Sequence, residues 1–573
     1  GRRLSKGIPG CPKFEIKKSG DYFKGLDERV SGNPRLPKWV GELYLEYHRG
    51  TLTSVGKNKW YNRKCENLLR DVELFSMIAS DANLLQYPQD EINEAWETVL
   101  LNQFHDILPG SSVREVYTES QAQYAKVMED MYKKLEDAIV RIAFSVSEGD
   151  DKCVVFNQLS YERKDIAKVR VNGNFTHAID VLGNKTAGQM ITEDNETYFI
   201  FISTVPPMGC SVYQLVNETP AAGSMDISDK KMENDFVRVV FNEDMHITSL
   251  YDKTNGRELV KAGQRANEII AFEDKPAMWD AWDINIYYND KSWSVSDVDS
   301  AEVIENGPVR SAIRYKREFL DSVIWQTVYM YSFSPRIDFD TYIDWRNDHI
   351  LLKAAFPMDI HTDRATYEIQ YGNVERPTHW NTSWDYARFE VCAHKWADIS
   401  EADFGVSLMN DCKYGHDIKD SVMRLTLLKS ATSPSPVADF GEHYMTYSIM
   451  PHSGDFRSGG TIEQAYSLNN PMHAVNVSGG AAILGNELSY VSVDKPNVVV
   501  EAVKKAEDSD DIIVRVYECH NKRSTVSMTL SGKITACSEC NLLEEDDKPV
   551  PFEGSKIKFI IKPYEIKTFR IRI

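Results

Sequence analysis

A histidine and an aspartate stand side by side at residues 105 and 106, at the end of a strongly apolar stretch. The spacing predicts a helix from residue 91 to residue 107, because apolar side chains recur at helical intervals in Ile92, Trp96, Val99, Leu100 and Phe104. Leu108-Pro109-Gly110 would end this helix, since proline cannot continue the hydrogen-bond ladder and glycine accepts a left-handed cap. A His-Asp pair on the last turn of a buried helix costs free energy unless it has a task. The pair is therefore a candidate for a functional site. The alternative is a structural histidine beside an aspartate that caps the next turn.

The residues around this pair carry a resemblance. Residues 100–112 read LLNQFHDILPGSS, which resembles the middle-domain signature of glycoside hydrolase family 38, the retaining α-mannosidases, in its cytosolic, vacuolar and bacterial branch. The resemblance implies that His105 is one ligand of a zinc ion and that Asp106 binds hydroxyl groups of mannose. Zinc is therefore the implied cofactor, with cobalt as the alternative metal.

Other stretches are similar to the same family. Residues 41–51 read GELYLEYHRGT, where Arg49 would donate hydrogen bonds to sugar hydroxyls and His48 would donate or accept them. An ordinary surface arginine and loop histidine remain the alternative for these two residues. The family places one aromatic side chain of its β region at the active site, and Tyr371, in the similar run IQYGNVERPT, is our candidate. Together with the runs at 233–236, 249–253 and 279–284, the resemblance extends over nearly the whole chain.

The catalytic carboxylates that this chemistry requires are not found in the sequence. A retaining glycosidase uses two carboxyl groups about 5 to 5.5 Å apart, one as nucleophile and one as acid and base. No segment resembles either motif, and we interpret the His-x-Asp at residues 361–363 as structural. The chain opens with Gly1-Arg2-Arg3, without an initiator methionine, and residues 1–55 look like the end of an α/β domain. We therefore expect the nucleophile and the acid/base upstream, and no turnover by the isolated chain.

The periodicity predicts a multidomain α+β protein. A remnant of an α/β domain (1–55), with a strand over 36–45, is followed by a three-helix bundle (56–148). Alternating apolar residues then predict a small β domain (149–224), a large antiparallel β-sandwich (225–470) and a C-terminal β domain (471–573).

Composition restricts the partners. The net charge of -20 over 573 residues argues against a nucleic-acid-binding surface. No apolar run reaches the roughly 18 to 20 residues of a membrane span, so no membrane partner is expected. Nine scattered cysteines are typical of reduced thiols, which favours the cytoplasm, with the vacuole as alternative.

The expected partners are a mannose-containing oligosaccharide and the missing N-terminal catalytic segment, and a homo-oligomer is left open. The rival interpretation is a non-catalytic carbohydrate-binding β-sandwich protein, which would leave His105 and Asp106 without a task.

Overall fold

The computed structural model describes residues 9–10, 12, 15–221, 223 and 225–573. It divides into two compact units, one ending at Leu45 and the other beginning at Glu46. The described part of the first unit contains helix α1 (Ser19–Val30) and no strand, so the strand predicted over 36–45 is wrong. Its apolar side chains are exposed, Val40 by 87% and Leu43 by 84%. A single extended segment has no neighbour for its backbone hydrogen bonds, and apolar composition alone does not make it a strand.

Three long helices open the second unit, as the sequence predicts. They are α2 (Gly56–Asp81), α3 (Gln89–Asn102) and α4 (Arg114–Val146). The end of α3 corrects the prediction, which continued this helix to residue 107. The Asn102 side chain donates to Thr98 O at 2.9 Å and to Gln123 Oε1 on α4 at 2.8 Å, and the chain then continues as a series of turns to Gly110. No helix in the described ranges is both long and apolar enough to cross a membrane.

Antiparallel strands make up most of the remaining chain. The first group is β1 (Lys152–Asn157), β2 (Arg163–Arg170), β3 (His177–Ile179), β4 (Lys185–Glu193), β5 (Glu196–Val205), β6 (Gly209–Val216), β7 (Asp226–Ser228), β8 (Lys231–Glu233), β9 (Val237–Phe241), β10 (Ile247–Asp252), β11 (Arg257–Glu258), β12 (Glu268–Glu273) and β13 (Ser292–Ser294). The second group is β14 (Val298–Asn306), β15 (Arg310–Phe319), β16 (Ser322–Tyr331), β17 (Ile337–Trp345), β18 (Ile350–Pro357), β19 (Arg364–Ile369), β20 (Gly372–Pro377), β21 (Val391–Cys392), β22 (Trp396–Ser400), β23 (Phe404–Asn410), β24 (Gly415–Lys419), β25 (Val422–Lys429) and β26 (Gly441–Ser453). The third group is β27 (His473–Val477), β28 (Glu487–Ser489), β29 (Val491–Val493), β30 (Val498–Lys505), β31 (Ile512–Glu518), β32 (Ser524–Leu530), β33 (Ala536–Cys540), β34 (Lys548–Pro549), β35 (Phe552–Glu553), β36 (Lys556–Ile561) and β37 (Ile566–Arg572).

Short helices interrupt these strands at α5 (Ser383–Ala387) and α6 (Thr461–Asn469), and 3₁₀ turns occur at Arg49–Leu52 and Ile286–Asp290. The fold class is thus the predicted one, a three-helix segment followed by antiparallel β structure. In β17, Ile337, Phe339 and Ile343 are fully buried and Asp340 is exposed, whereas Asp338 is buried and accepts hydrogen bonds from Arg336.

One sheet contains strands from both sides of the domain boundaries that the sequence predicts at 224 and 470. The first sheet has the order β2-β5-β4-β3-β6-β1-β27, with β28 also paired to β6. Strand β27 therefore lies beside β1, with Val475 opposite Val154. The predicted boundaries stay a prediction, but strands on both sides of them complete one sheet.

One large hydrophobic core is shared between the helices and the C-terminal sheets. It contains Phe75 of α2, Ile142 of α4, Phe156 of β1 and Val514 of β31. The other face of α2 carries polar side chains that contact the β region, such as Arg63 with Tyr414 and Lys64 with Asp411. This face lies beside the candidate site.

Candidate functional site

His105 and Asp106 lie in the turn after α3, on the surface of the second unit. Their side chains are 75% and 53% exposed, and His105 Nε2 is 3.4 Å from Asp106 Oδ2. The Phe104 ring packs against the imidazole at a centroid distance of 4.3 Å. The prediction that this pair sits on the last turn of a buried helix is wrong, because the helix ends three residues earlier. The pair therefore needs no compensation for burial and is open to a ligand.

Hydrogen bonds of three side chains, Gln103, Lys59 and Tyr117, fix this turn. Gln103 Nε2 donates to Asn62 Oδ1 at 3.0 Å and to Glu66 Oε1 at 2.9 Å, both on α2. Lys59 Nζ donates to Leu108 O at 2.8 Å. The Tyr117 hydroxyl on α4 accepts from Ser112 N at 2.6 Å and donates to Asp106 O at 3.3 Å. The turn is thus fixed at its start, middle and end while its two chemical side chains stay exposed.

Lys59 belongs to a buried polar cluster at the start of α2. Its side chain is buried, and Nζ also donates to Ser54 O at 2.6 Å. The Asp439 carboxylate accepts from Val55 N at 3.0 Å and from Gly56 N at 2.7 Å, which satisfies amides that the helix leaves unpaired. Burial lowers the pKa of Lys59 and raises the pKa of Asp439. Both shifts have the same physical cause, since a low-dielectric site disfavours either charge.

Close backbone packing joins the turn to two other segments. Gly110 has a φ of +85°, and a Cβ at this position would lie 2.2 Å from Ser54 O. Ser54 Oγ in turn donates to Ala281 O at 2.6 Å, and Gly50 N donates to Trp282 O at 2.8 Å. The 103–110 turn, the 48–56 segment and the 279–283 loop therefore meet in one region.

His48 lies in this region. It lines an aromatic hollow of about 300 Å³ together with Tyr47, Trp279, Trp282 and Asp283. The Trp279 and Trp282 rings meet edge to face at 5.7 Å, and Trp279 is 64% exposed. The structure thus places the exposed His48 beside aromatic rings.

Arg49 has contacts within the protein. Its Nε and Nη2 donate to Ala387 O at 3.1 and 2.8 Å, and its guanidinium lies over the Phe389 ring at 4.3 Å. These bonds connect the 48–56 segment to the last residue of α5. Contact of Arg49 with substrate stays a prediction. In this structure the partly buried Arg49 side chain connects two segments of the protein.

Tyr371 lies in a different cavity. It occupies the tight turn between β19 and β20 with a φ of 54°, is 37% exposed and packs edge-on against Tyr517 at 5.3 Å. It lines a cleft of about 670 Å³ that Leu100 and Gln103 of the α3 end also line. The structure brings Tyr371 to the cleft beside the His105 turn, whereas His48 borders the aromatic hollow.

Metal ligation by the described residues alone is incomplete. Within the described ranges no group of three or more histidine, cysteine, aspartate or glutamate side chains is clustered closely enough to hold a metal ion. The exposed His105 imidazole with its neighbouring Asp106 carboxylate fits the role of one contributor among about four ligands.

Known protein families match most of this chain. Three family models match in order: the "Alpha mannosidase middle domain" at residues 46–142, the "Glycosyl hydrolases family 38 C-terminal domain" at 232–437, and the "Glycosyl hydrolases family 38 C-terminal beta sandwich domain" at 497–569. The structure has helices in the first range and antiparallel strands in the other two. The chain belongs to glycoside hydrolase family 38.

Individual relatives align over almost the entire chain. Alpha-mannosidase G of Dictyostelium discoideum is 34% identical over 99% of this chain and 55% of its own length. Alpha-mannosidase 2C1 of Homo sapiens is 33% identical over 99% of this chain and 53% of its own length. The chain thus spans about half the length of the curated relatives it matches. The crystal structure of an alpha-mannosidase from Enterococcus faecalis V583 has a TM-score of 0.82 at 18% identity, over 98% of this chain and 72% of that chain, which shows the same fold.

Proposed function

We propose that the full-length protein is a retaining, zinc-dependent α-mannosidase that removes terminal α-mannose from oligosaccharides or glycans. The observation that carries this proposal is the alignment of 99% of the chain with two proteins named alpha-mannosidases at 34% and 33% identity. The exposed His105-Asp106 pair on a braced turn supports it, because these are the residues for which the family resemblance implies metal and sugar contacts.

Each residue has a separate task in this proposal. His105 would present a neutral imidazole nitrogen to the metal, which requires that the ring be held in one orientation. The ring of Phe104 and the carboxylate of Asp106 both contact the imidazole and restrict it. Bound zinc, or cobalt in its place, would hold sugar hydroxyls beside the scissile bond. Asp106, as a carboxylate acceptor, would bind the hydroxyls of the same sugar.

The remaining polar groups extend the sugar contacts. His48 borders a hollow whose exposed tryptophan faces suit the apolar side of a sugar ring. We place the nucleophile and the acid/base in a part of the full-length protein outside this chain, since the chain spans about half the length of its relatives. The eight described cysteines are all free thiols, which supports placement in the reducing cytoplasm.

The test uses the full-length protein with His105→Ala and Asp106→Asn. We expect His105→Ala to lower bound metal and turnover of an aryl α-mannoside together, at an unchanged melting temperature, since the side chain is 75% exposed. Asp106→Asn should raise KM while metal remains bound. Metal content by elemental analysis, kinetics and thermal melting separate these effects.

The chain offers a control in the His-x-Asp sequence at residues 361–363. His361→Ala and Asp363→Asn change exposed residues of the same types and should leave metal and turnover unaltered. Full metal occupancy in His105→Ala would end the ligand assignment. Turnover by the isolated chain, free of contaminating enzyme, would contradict the upstream placement of the carboxylates, and sugar binding without turnover in the full-length protein would favour a non-catalytic carbohydrate-binding protein.

A further inference from the structure

A large cavity in the second unit lies between the helices and the β region. This helix–sheet cleft, of about 670 Å³, is lined by α2 and α3 on one side and by the β19–β20 turn, α6, β30 and β31 on the other. Its volume falls within the roughly 300 to 1,000 Å³ of typical small-molecule sites and exceeds what one hexose fills.

The cleft shares a wall with the His105 turn. Gln103 lines the cleft and stands two residues before His105, and its amide is fixed by Asn62 and Glu66. A chain of sugars whose terminal residue lies at His105 and Asp106 could therefore continue past Gln103 into the cleft.

The lining is charged but balanced. Five lysine and arginine side chains and six glutamate side chains line the cleft. Several are paired with one another or with hydroxyls: Lys395 Nζ is 2.8 Å from Glu368 Oε1, and Tyr466 Oη donates to Glu501 Oε2 at 2.7 Å. A strongly anionic or cationic ligand would meet like charges here. Hydroxyl groups both donate and accept, so a neutral polyhydroxylated ligand fits both kinds of partner.

Two arginines on one face of α2 line this cleft, and each has one buried guanidinium nitrogen without a hydrogen-bond partner among the described residues. Arg63 is 4% exposed and donates through Nε to Tyr414 Oη and through Nη1 to Asn469 Oδ1, both at 3.0 Å, while Nη2 has no partner among the described residues. Nη1 of Arg70, seven residues along the same helix face, also has none there. A buried guanidinium N–H without an acceptor is costly. Both nitrogens are shielded from solvent, so a ligand oxygen reaches them only when a neighbouring side chain moves aside.

Tyr371 adds an aromatic surface at the edge of the cleft. Its ring is 37% exposed and is held edge-on by the buried Tyr517, so little freedom would be lost when a sugar packs on it. Aromatic faces and planar polar side chains together are the usual elements of sugar binding sites.

We infer that the helix–sheet cleft is a subsite for the sugar residues that follow the terminal mannose of an oligosaccharide substrate. The inference rests on the proposed α-mannosidase function, and it adds where the rest of the substrate binds and why an oligosaccharide is preferred over a simple glycoside.

The experiment compares two substrates of the full-length enzyme, an aryl α-mannoside and an α-linked mannotetraose. Tyr371→Ala removes the aromatic surface, and Ala502→Trp fills the cleft from β30. Both should lower the ratio of kcat/KM for the tetraose to that for the aryl mannoside by about tenfold, mainly through KM. Tyr444→Ala, which removes an exposed tyrosine that does not line the cleft, serves as the matched control and should leave this ratio unchanged.

The outcomes separate this inference from the function on which it rests. A ratio unaltered in both variants, with melting temperatures near that of the parent protein, would overturn the subsite and leave the α-mannosidase proposal standing. Tyr371→Ala reduces the side-chain volume in the cleft, whereas Ala502→Trp increases it. If one variant misfolds, the other still tests the subsite. Absence of turnover of either substrate by the parent enzyme would overturn both proposals.

Discussion

At the scale of single residues, burial rather than charge pairing determines the pKa of Glu73. This α2 side chain is 7% exposed and accepts a hydrogen bond from Trp96 Nε1 at 3.0 Å. Burial raises its pKa from 4.5 to about 7, and the indole hydrogen bond only partly opposes this. The folded protein therefore retains a proton on Glu73 at pH values where the unfolded chain has released it.

The sign of the resulting pH dependence follows. The stabilising effect of the protonated form is fully present below pH 4.5 and is lost as the pH rises through about 7. We expect Glu73→Gln, which stays neutral, to gain stability over the parent protein by up to ~3 kcal/mol as the pH rises from 5 to 8, at 1.36 kcal/mol per pKa unit. Urea unfolding of both proteins across this range measures the difference. The exposed Glu94→Gln is the control, and a pH-independent difference for Glu73→Gln would refute the assignment.

At the scale of elements, the turn after α3 is positioned by side chains from α2 and α4. Lys59 links Ser54 O and Leu108 O, and Tyr117 links Ser112 N and Asp106 O. Neither residue contacts the exposed side chains of His105 and Asp106 in the observed hydrogen bonds, so both are positioning residues. This arrangement gives exposed chemical groups a rigid support.

Lys59→Met should therefore impair the site beyond its effect on stability. The substitution leaves two buried carbonyls without donors, at about 1 to 3 kcal/mol each, and releases the middle of the turn. In the full-length enzyme we expect kcat to fall at least tenfold under conditions where circular dichroism shows the protein folded, with a smaller loss of kcat in Tyr117→Phe.

Lys353→Met provides the matched control, because this buried lysine pairs with Glu390 and Asp417 within the β region. It should lower the melting temperature at least as much as Lys59→Met does and leave kcat unaltered. Equal kcat losses in the two variants at equal fraction folded would show that Lys59 acts only through stability.

At the scale of the whole molecule, the first sheet is completed by strands from the far end of the chain. Strand β27 pairs with β1, and β28 pairs with β6 so closely that a Cβ on Gly209 would lie 1.7 Å from Leu488 O. No side chain other than hydrogen fits between these two strands without separating them.

Gly209→Ala should consequently destabilise the protein by about 2 to 3 kcal/mol, since the clash is with backbone and cannot be relieved by a rotamer change. Gly173→Ala is the control, because a Cβ there would meet only the Phe175 ring at an ordinary 3.5 Å. Urea unfolding monitored by circular dichroism compares the two. Equal midpoints for Gly209→Ala and Gly173→Ala would mean that the β6–β28 contact is not maintained in solution.

The sequence by itself determined the class of elements and the candidate pair. Helical spacing in 56–148 and alternation beyond 149 depend only on neighbouring residues, and both predictions are confirmed by α2 to α4 and by the sheets that follow. The QFHDILPGSS run drew attention to His105 and Asp106 without any structure. The family assignment, made from short motifs, agrees with the matches over most of the chain.

The end of α3 and the surroundings of His105 and Asp106 depend on tertiary contacts. Periodicity continued the helix to residue 107, whereas contacts of Asn102 and Gln103 with α4 and α2 accompany its end at Asn102. Asp439 caps α2 from 384 residues beyond Val55, and β27 joins β1 across more than 300 residues. Such contacts arise from the packing of distant segments, so no local pattern of residue types encodes them, and the support of the His105 turn became visible only when the chain was folded.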